Sequence, residues 1–286
     1  MQSRDLPAAF GQEVLIDLTG PIEPAAQAWL ASLMRAHGLL VFPTTGLTAD
    51  QQRAATACFG RIMCDPQGGP LENYVSNQRQ SSAPDGELIF HYDYAYDRNP
   101  TEFISLYGEE IAPGSTPTRF ANSARALDLL PATLRAAIEK RHALHACFMD
   151  RAAPAAERAA VMDDAIPRGQ PGWSPADWRI AHPLVWHNRA GVPCLYACLQ
   201  HTIRLLDMDI ADSDALLAQL FDTLYRADNV YEHPWRPGDL VIWDNRTIQH
   251  ARPTPAAPAR TLRRFEVCEE DLTNLYLAIG RANGYV

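Results

Sequence analysis

Three side chains, spread over more than half of the chain, have to meet if this sequence is to hold a catalytic metal. They are His91 and Asp93 in the tripeptide His91-Tyr92-Asp93, and His250 far downstream. Two imidazoles and one carboxylate make the facial ligand set of non-haem Fe(II) oxygenases, which leaves three coordination positions open. On a strand, residues two apart point to the same face, so His91 and Asp93 reach one metal from a single segment. His250 follows the strand-like run DLVIWDN, near the point where the chain would leave a barrel. Nitrogen and oxygen ligands without thiolate suit Fe(II), Mn or Zn, and the missing fourth protein ligand marks a catalytic rather than a structural site. The chain has nine histidines. His37 sits in the last turn of a predicted helix. His142, His145, His182, His187, His201 and His233 sit in or beside predicted elements and read as scaffold.

The hydrophobic pattern predicts a mainly β protein with flanking α-helices. PAAQAWLASLMRAH (24–37) reads as a helix closed by Gly38, and LLVF (39–42) as a buried strand. Thr48 caps a second helix through about Cys58, with Gln51 placed for a capping box. FISLYGEEI, ELIFHYDYAY and RTLRRFEVCEE read as strands, PGSTP makes a turn into TRFAN, and a short Asn122- or Ser123-capped helix to Leu130 follows, with another opened by Pro131. IAHPLVWHN and VPCLYACL flank a turn at Asn188–Gly191, and NVYEHPW and DLVIWDN flank RPGD. Both read as hairpins. Ser213–Ala227 reads as an amphipathic helix. Strict alternation in HYDYAY sends Tyr92, Tyr94 and Tyr96 away from the ligand face. Residues 65–86 read as an irregular loop rich in Gly, Pro, Ser and Asn. Residues 151–178, rich in Ala, Pro and charge, read as a long excursion that serves as a lid on a β scaffold.

With 286 residues and 47% hydrophobic residues, the chain fits one large globular domain over 1–286. A net charge of −9 argues against a nucleic-acid binder. No apolar run approaches the roughly 20 residues that span a bilayer, and the N-terminus lacks a secretion signal. Six scattered cysteines without a CxxC pair read as reduced core thiols in a cytoplasmic protein, Cys194 and Cys198 being core positions rather than zinc ligands.

FHYD at 90–93, WDNRTIQH at 243–250 and PARTLRR at 258–264 together resemble the taurine and chlorophenoxyacetate dioxygenase family. HPLV at 182–185 and RPGDLVIWDNR at 236–246 add to the likeness, which runs from about Asp17 to Glu269. The resemblance implies a double-stranded β-helix (jelly-roll, cupin-like) core, Fe(II), 2-oxoglutarate as cosubstrate, and O2. By that resemblance His91, Asp93 and His250 are the iron ligands. Arg260 and Thr118 grip the distal carboxylate of 2-oxoglutarate, a task that suits the planar guanidinium fork. Arg264 holds an anionic substrate group near the iron, although Arg263 beside it competes for the register. Tyr74 and Asn77 lie where relatives bind a sulfonate. No histidine accompanies them, and Glu87 stands where the taurine enzymes carry Asn, so taurine itself is disfavoured. Asp93 is retained, which favours oxygenation over halogenation.

The implied reaction is oxidation, most simply hydroxylation, of a small anionic organic molecule with release of succinate and CO2. The implied assembly is a dimer or tetramer. Desaturation or another bond formation in natural-product biosynthesis is the alternative, ahead of a non-oxidative metal enzyme or a binding barrel.

Overall fold

The computed structural model describes residues 1–272 apart from 66–68, 70, 82, 84, 85, 150, 168 and 169. Two sheets face each other. The larger has seven strands in the order Gln2–Asp5, Gln12–Leu15, Leu39–Pro43, Asp239–Asp244, Phe103–Ile111, Arg260–Val267, Asn73–Ser76. The smaller has four, in the order Val230–His233, Thr118–Asn122, Ile248–Arg252, Leu88–His91. Beyond the sequential pair Gln2–Asp5 and Gln12–Leu15, strands distant in sequence are neighbours, as a double-stranded β-helix requires.

The core lies between these sheets. Leu39, Val41, Ile104, Leu106, Val241, Trp243 and Leu262 of the large sheet meet Phe120, Tyr231 and Ile248 of the small one. The outer face of the large sheet carries Leu40, Phe42, Leu240 and Ile242 against Leu30 and Met34 of helix Pro24–His37 and Ala55 of helix Ala49–Ala57. Both faces of Asp239–Asp244 are therefore covered, and all six residues are buried. Each such aliphatic side chain contributes about 1.5–3 kcal/mol on burial.

Local signals set several boundaries. Gly38 takes φ 70° to end helix Pro24–His37, where an added Cβ would come within 3.0 Å of Ile248. Thr48 and Gln51 form the reciprocal capping box. Asn122 caps helix Ser123–Leu129 by accepting the Arg125 N–H at 2.9 Å. The hairpin of Val185–His187 with Pro193–Leu195 forms as read.

The second predicted hairpin does not form. Val230–His233 pairs with Thr118–Asn122 in the small sheet, and Asp239–Asp244 pairs with Leu39–Pro43 and Phe103–Ile111 in the large one. RPGD is a corner between sheets. Gly238 there has φ 85°, and a Cβ would lie 2.1 Å from the Thr44 carbonyl oxygen. A turn signature reports a change of direction and not the partner that follows. The loop read at 65–86 contains the strand Asn73–Ser76, while 66–68, 70, 82, 84 and 85 lie outside the described residues. The amphipathic helix runs Ile210–Leu224, three residues earlier than read.

The 151–178 excursion holds helix Ala155–Ala160 and a short 3-10 turn at Pro175–Asp177. Buried Arg158 pins it by a two-pronged bond to Asp214, at 2.9 and 2.7 Å. All six cysteines are free, and Cys194 and Cys198 pack with Tyr92 and Tyr196. Among the described residues no helix is long and apolar enough to cross a membrane.

Candidate active site

The two distant ligand segments are neighbouring strands. Leu88–His91 pairs with Ile248–Arg252, and His91 lies directly opposite His250. Cross-strand partners share a face, so both imidazoles emerge together, with ring centroids 4.2 Å apart. The Leu88–His91 strand stops at His91, and Asp93 belongs to the turn that follows. Asn245 clamps this turn. Its side chain accepts the Asp93 N–H at 3.2 Å and donates to the carbonyls of Asp93 at 3.1 Å and Thr101 at 2.9 Å.

Asp93 Oδ1 consequently lies 3.2 Å from His91 Nε2 and 3.7 Å from His250 Nε2. One ligating atom from each of the three residues falls within 4.8 Å of the others, a grouping able to hold a metal ion. His91 Nδ1 meets the Ile89 carbonyl at 2.8 Å. A carbonyl only accepts, so Nδ1 carries a proton, and Nε2 is the ring atom turned to Asp93. Burial pushes His250 well below the usual imidazole range, and His91 beside it adds to this. Burial by itself would raise Asp93, but the Arg264 guanidinium and the two imidazoles outweigh it and hold the carboxyl well below the usual carboxylate range. Neutral imidazole and ionised carboxylate are the forms that bind metals.

The tyrosines divide. Tyr92 points away, fully buried, with its hydroxyl on Ser123 and the Leu195 carbonyl. Tyr94 and Tyr96, expected to face away, line the cavity. The strand ends early, and Tyr94 adopts φ 58°, which breaks the alternation.

The opposite wall is the strand Arg260–Val267. Arg260, Leu262, Arg264 and Glu266 line one cavity of about 140 Å³ together with His91, Asp93, His250 and Thr118. Arg263 points the other way. It bonds Gln52 at 2.8 Å, Glu109 at 2.7 Å and the Leu47 carbonyl at 2.8 Å, and lies over the Tyr107 ring. Alternation thus settles the register between Arg263 and Arg264.

Arg260 Nη1 donates to the Thr116 carbonyl at 2.7 Å, and burial, with Arg252 nearby, lowers its guanidinium to about 10. Thr118 Oγ1 accepts the Trp235 indole N–H at 3.0 Å. Arg264 donates to Asp93 and, at 2.6 Å, to Glu266. Burial works against its charge, yet Glu266 and Asp93 overcome this and raise it further above its ordinary range.

Tyr74 and Asn77 are not brought into this cavity. Val75 between them lines it, as alternation requires, while Tyr74 bonds Glu72 and lies under Arg79. Asn77 instead secures the backbone of Arg260, accepting its N–H at 2.9 Å and donating to the Arg260 carbonyl at 3.2 Å. Three contributors escape a sequence reading. Glu266 and His201 line the cavity, and Asn245 holds the Asp93 turn. Strand alternation from Arg260 reaches Glu266. His201 carries no such signal, because it sits in a turn whose position depends on the whole fold.

Among known proteins, the family described as taurine catabolism dioxygenase TauD, TfdA family matches residues 2–266. The (S)-phenoxypropionate/alpha-ketoglutarate dioxygenase of Sphingobium herbicidovorans is 26% identical over 254 residues, covering 86% of each chain. The alpha-ketoglutarate-dependent 2,4-dichlorophenoxyacetate dioxygenase of Cupriavidus pinatubonensis is 26% identical over 282 residues, covering 89% of this chain and 93% of the relative. A solved taurine dioxygenase structure from Burkholderia xenovorans superposes with TM-score 0.74 at 24% identity, covering 93% of this chain and 89% of its own.

Proposed function

This chain belongs to the TauD/TfdA dioxygenase family and is a 2-oxoglutarate-dependent dioxygenase acting on a small organic substrate, and we propose that His91, Asp93 and His250 hold its Fe(II). The observation that carries the reading is the direct pairing of His91 with His250 across two strands, with Asp93 closing the set. The donor set fits Fe(II), because two imidazoles and a carboxylate converge while the cavity side stays open. Bound Fe(II) supplies the redox chemistry by which O2 splits 2-oxoglutarate into succinate and CO2 and oxidises the substrate.

The protein's own part is placement. His91 keeps its Nε2 aimed by the Nδ1–H bond to Ile89. Asn245 holds Asp93 at the turn. Arg260 and Thr118 bind the distal carboxylate of 2-oxoglutarate. Thr118 Oγ1 already accepts from Trp235, so its own proton is left to donate. Arg260 is anchored through Nη1, which aims the rest of its fork. Val75, Leu106 and Leu262 exclude water behind them.

The same reading makes the chain one domain, with 151–178 as a lid whose end carries Trp178 onto Tyr94 and Tyr96. It places the enzyme in the cytoplasm, supported by six free thiols, as a dimer or tetramer. The test is spectroscopic. Under anaerobic conditions, 2-oxoglutarate added to the Fe(II)-loaded protein is expected to raise a visible charge-transfer band. Admission of O2 then yields succinate. Turnover with Zn and without 2-oxoglutarate would favour a hydrolase instead.

A further inference from the structure

Arg264 is the residue that the family resemblance assigns to an anionic substrate group, and here its Nη2 is already engaged by two carboxylates. Its Nη2 donates to Asp93 and to Glu266, the latter at 2.6 Å. If Asp93 gives its charge to a metal, Glu266 remains, one carboxylate against one guanidinium. Glu266 is 2% exposed and sits in a strand paired on the Phe103–Ile111 side, with its carbonyl accepting the Met63 N–H at 2.9 Å. It is therefore held in place at the cavity wall.

Among the described residues, the neighbouring wall adds no guanidinium or ammonium to replace Arg264. Tyr94, Tyr96, Cys147 and Leu106 are aromatic or apolar, and Gln200 and His201 are its polar members. Burial pushes the Cys147 thiol up to about 12, so it stays neutral. Arg252, the remaining arginine among the described lining residues, donates to the Gly86 carbonyl at 2.8 Å and acts on Arg260, on the cosubstrate side. A substrate carboxylate beside Arg264 would also stand beside Glu266, and like charges placed together at a buried site are penalised.

We propose that Glu266 is a specificity-determining residue that cancels the charge of Arg264, so that the enzyme takes an uncharged, largely apolar small molecule in place of an anion. This rests on the dioxygenase reading given above and narrows its substrate class. It departs from the anionic substrate that the resemblance implied.

The test uses the full chain loaded with Mn(II) and N-oxalylglycine, titrated calorimetrically with matched acids and amides from acetate and acetamide to phenoxyacetate and phenoxyacetamide. Wild type is expected to bind the amides at least about tenfold more tightly than the acids. Glu266→Gln is expected to reverse that order, and Glu266→Asp, which keeps the charge, to retain it. Acids binding wild type as tightly as the amides, an unchanged ratio in Glu266→Gln, or no amide binding at all would overturn the proposal. If Glu266→Gln fails to fold, the wild-type ratio and Glu266→Asp decide. Failure of Mn(II) and N-oxalylglycine to load counts against the metal and cosubstrate assignment instead. The pairs are then titrated into the metal-free protein, where the Arg264–Glu266 pair also stands.

Discussion

The two walls of the cavity are built on opposite electrostatic plans. The small sheet supplies the imidazoles of His91 and His250, aimed at one point, with Asp93 in the adjoining turn. The large sheet supplies a row from one strand, Arg260, Leu262, Arg264 and Glu266. The first wall brings two imidazoles and a carboxylate together, which is what a metal needs. The second satisfies most of its charge internally, and leaves Arg260 to meet an incoming carboxylate. The difference teaches that one strand can carry charged residues for two purposes, with alternation doing the sorting. Arg260 faces the cavity, and Arg263 is spent on Gln52, Glu109 and Leu47.

The largest expected effect lies on the first wall. His91→Ala or Asp93→Ala removes one of three ligands and is expected to abolish succinate release and metal retention, measured by metal analysis after gel filtration. Retained turnover would show that another group holds the metal.

On the second wall, Arg260→Ala and Arg263→Ala should separate cleanly. Arg263→Ala removes the partner of Gln52 Oε1 and one of the two cations on Glu109, whose pair with Arg79 remains, and is expected to cost about 1–3 kcal/mol of stability by denaturant unfolding. Arg260→Ala is expected to raise the 2-oxoglutarate requirement by roughly tenfold or more, since it removes a charge-assisted pair. Equal effects of the two on cosubstrate requirement would break the contrast drawn between the faces.

Asn245→Ala tests whether the first wall depends on its turn. Loss of the clamp on Asp93 and Thr101 is expected to cost about 1–3 kcal/mol and to weaken metal retention more than 2-oxoglutarate binding.

The smallest effect concerns pH. His182, behind the first wall, bonds the Asp97 carbonyl at 2.9 Å, and burial lowers it to about 3. The unfolded chain takes up a proton near pH 6.5, and the folded chain does so only near 3. Unfolding therefore binds a proton in that window, and stability falls as pH drops below about 6.5, by up to about 1.4 kcal/mol per unit for this group. His182→Gln is expected to flatten the melting-temperature profile of the metal-free protein between pH 6.5 and 5. An unchanged slope would assign the loss to other groups.

Much of this was legible in the chain. Helix Pro24–His37, the Thr48 capping box and the long strands follow from local periodicity and caps, and they form where the residues place them. The Arg260 to Arg264 step carries its wall of the site because alternation is a local property, whereas Asp93 reaches His91 from a turn beyond the strand. Local signals stop at partner choice. RPGD announces a turn, and only the assembled sheets decide that it is a corner between them. Tyr94 and Tyr96 enter the cavity because the strand ends at His91, which depends on Asn245 from far along the chain.

By itself the sequence determined the residues that could bind a metal, the strand that carries the arginines, and the family. Tertiary structure alone decided that His91 and His250 are cross-strand partners, that Asn77 serves the Arg260 backbone, and that Glu266 stands against Arg264. The reason is physical: periodicity and capping act within a few residues, whereas register between strands and the neutralising of buried charge depend on which surfaces meet.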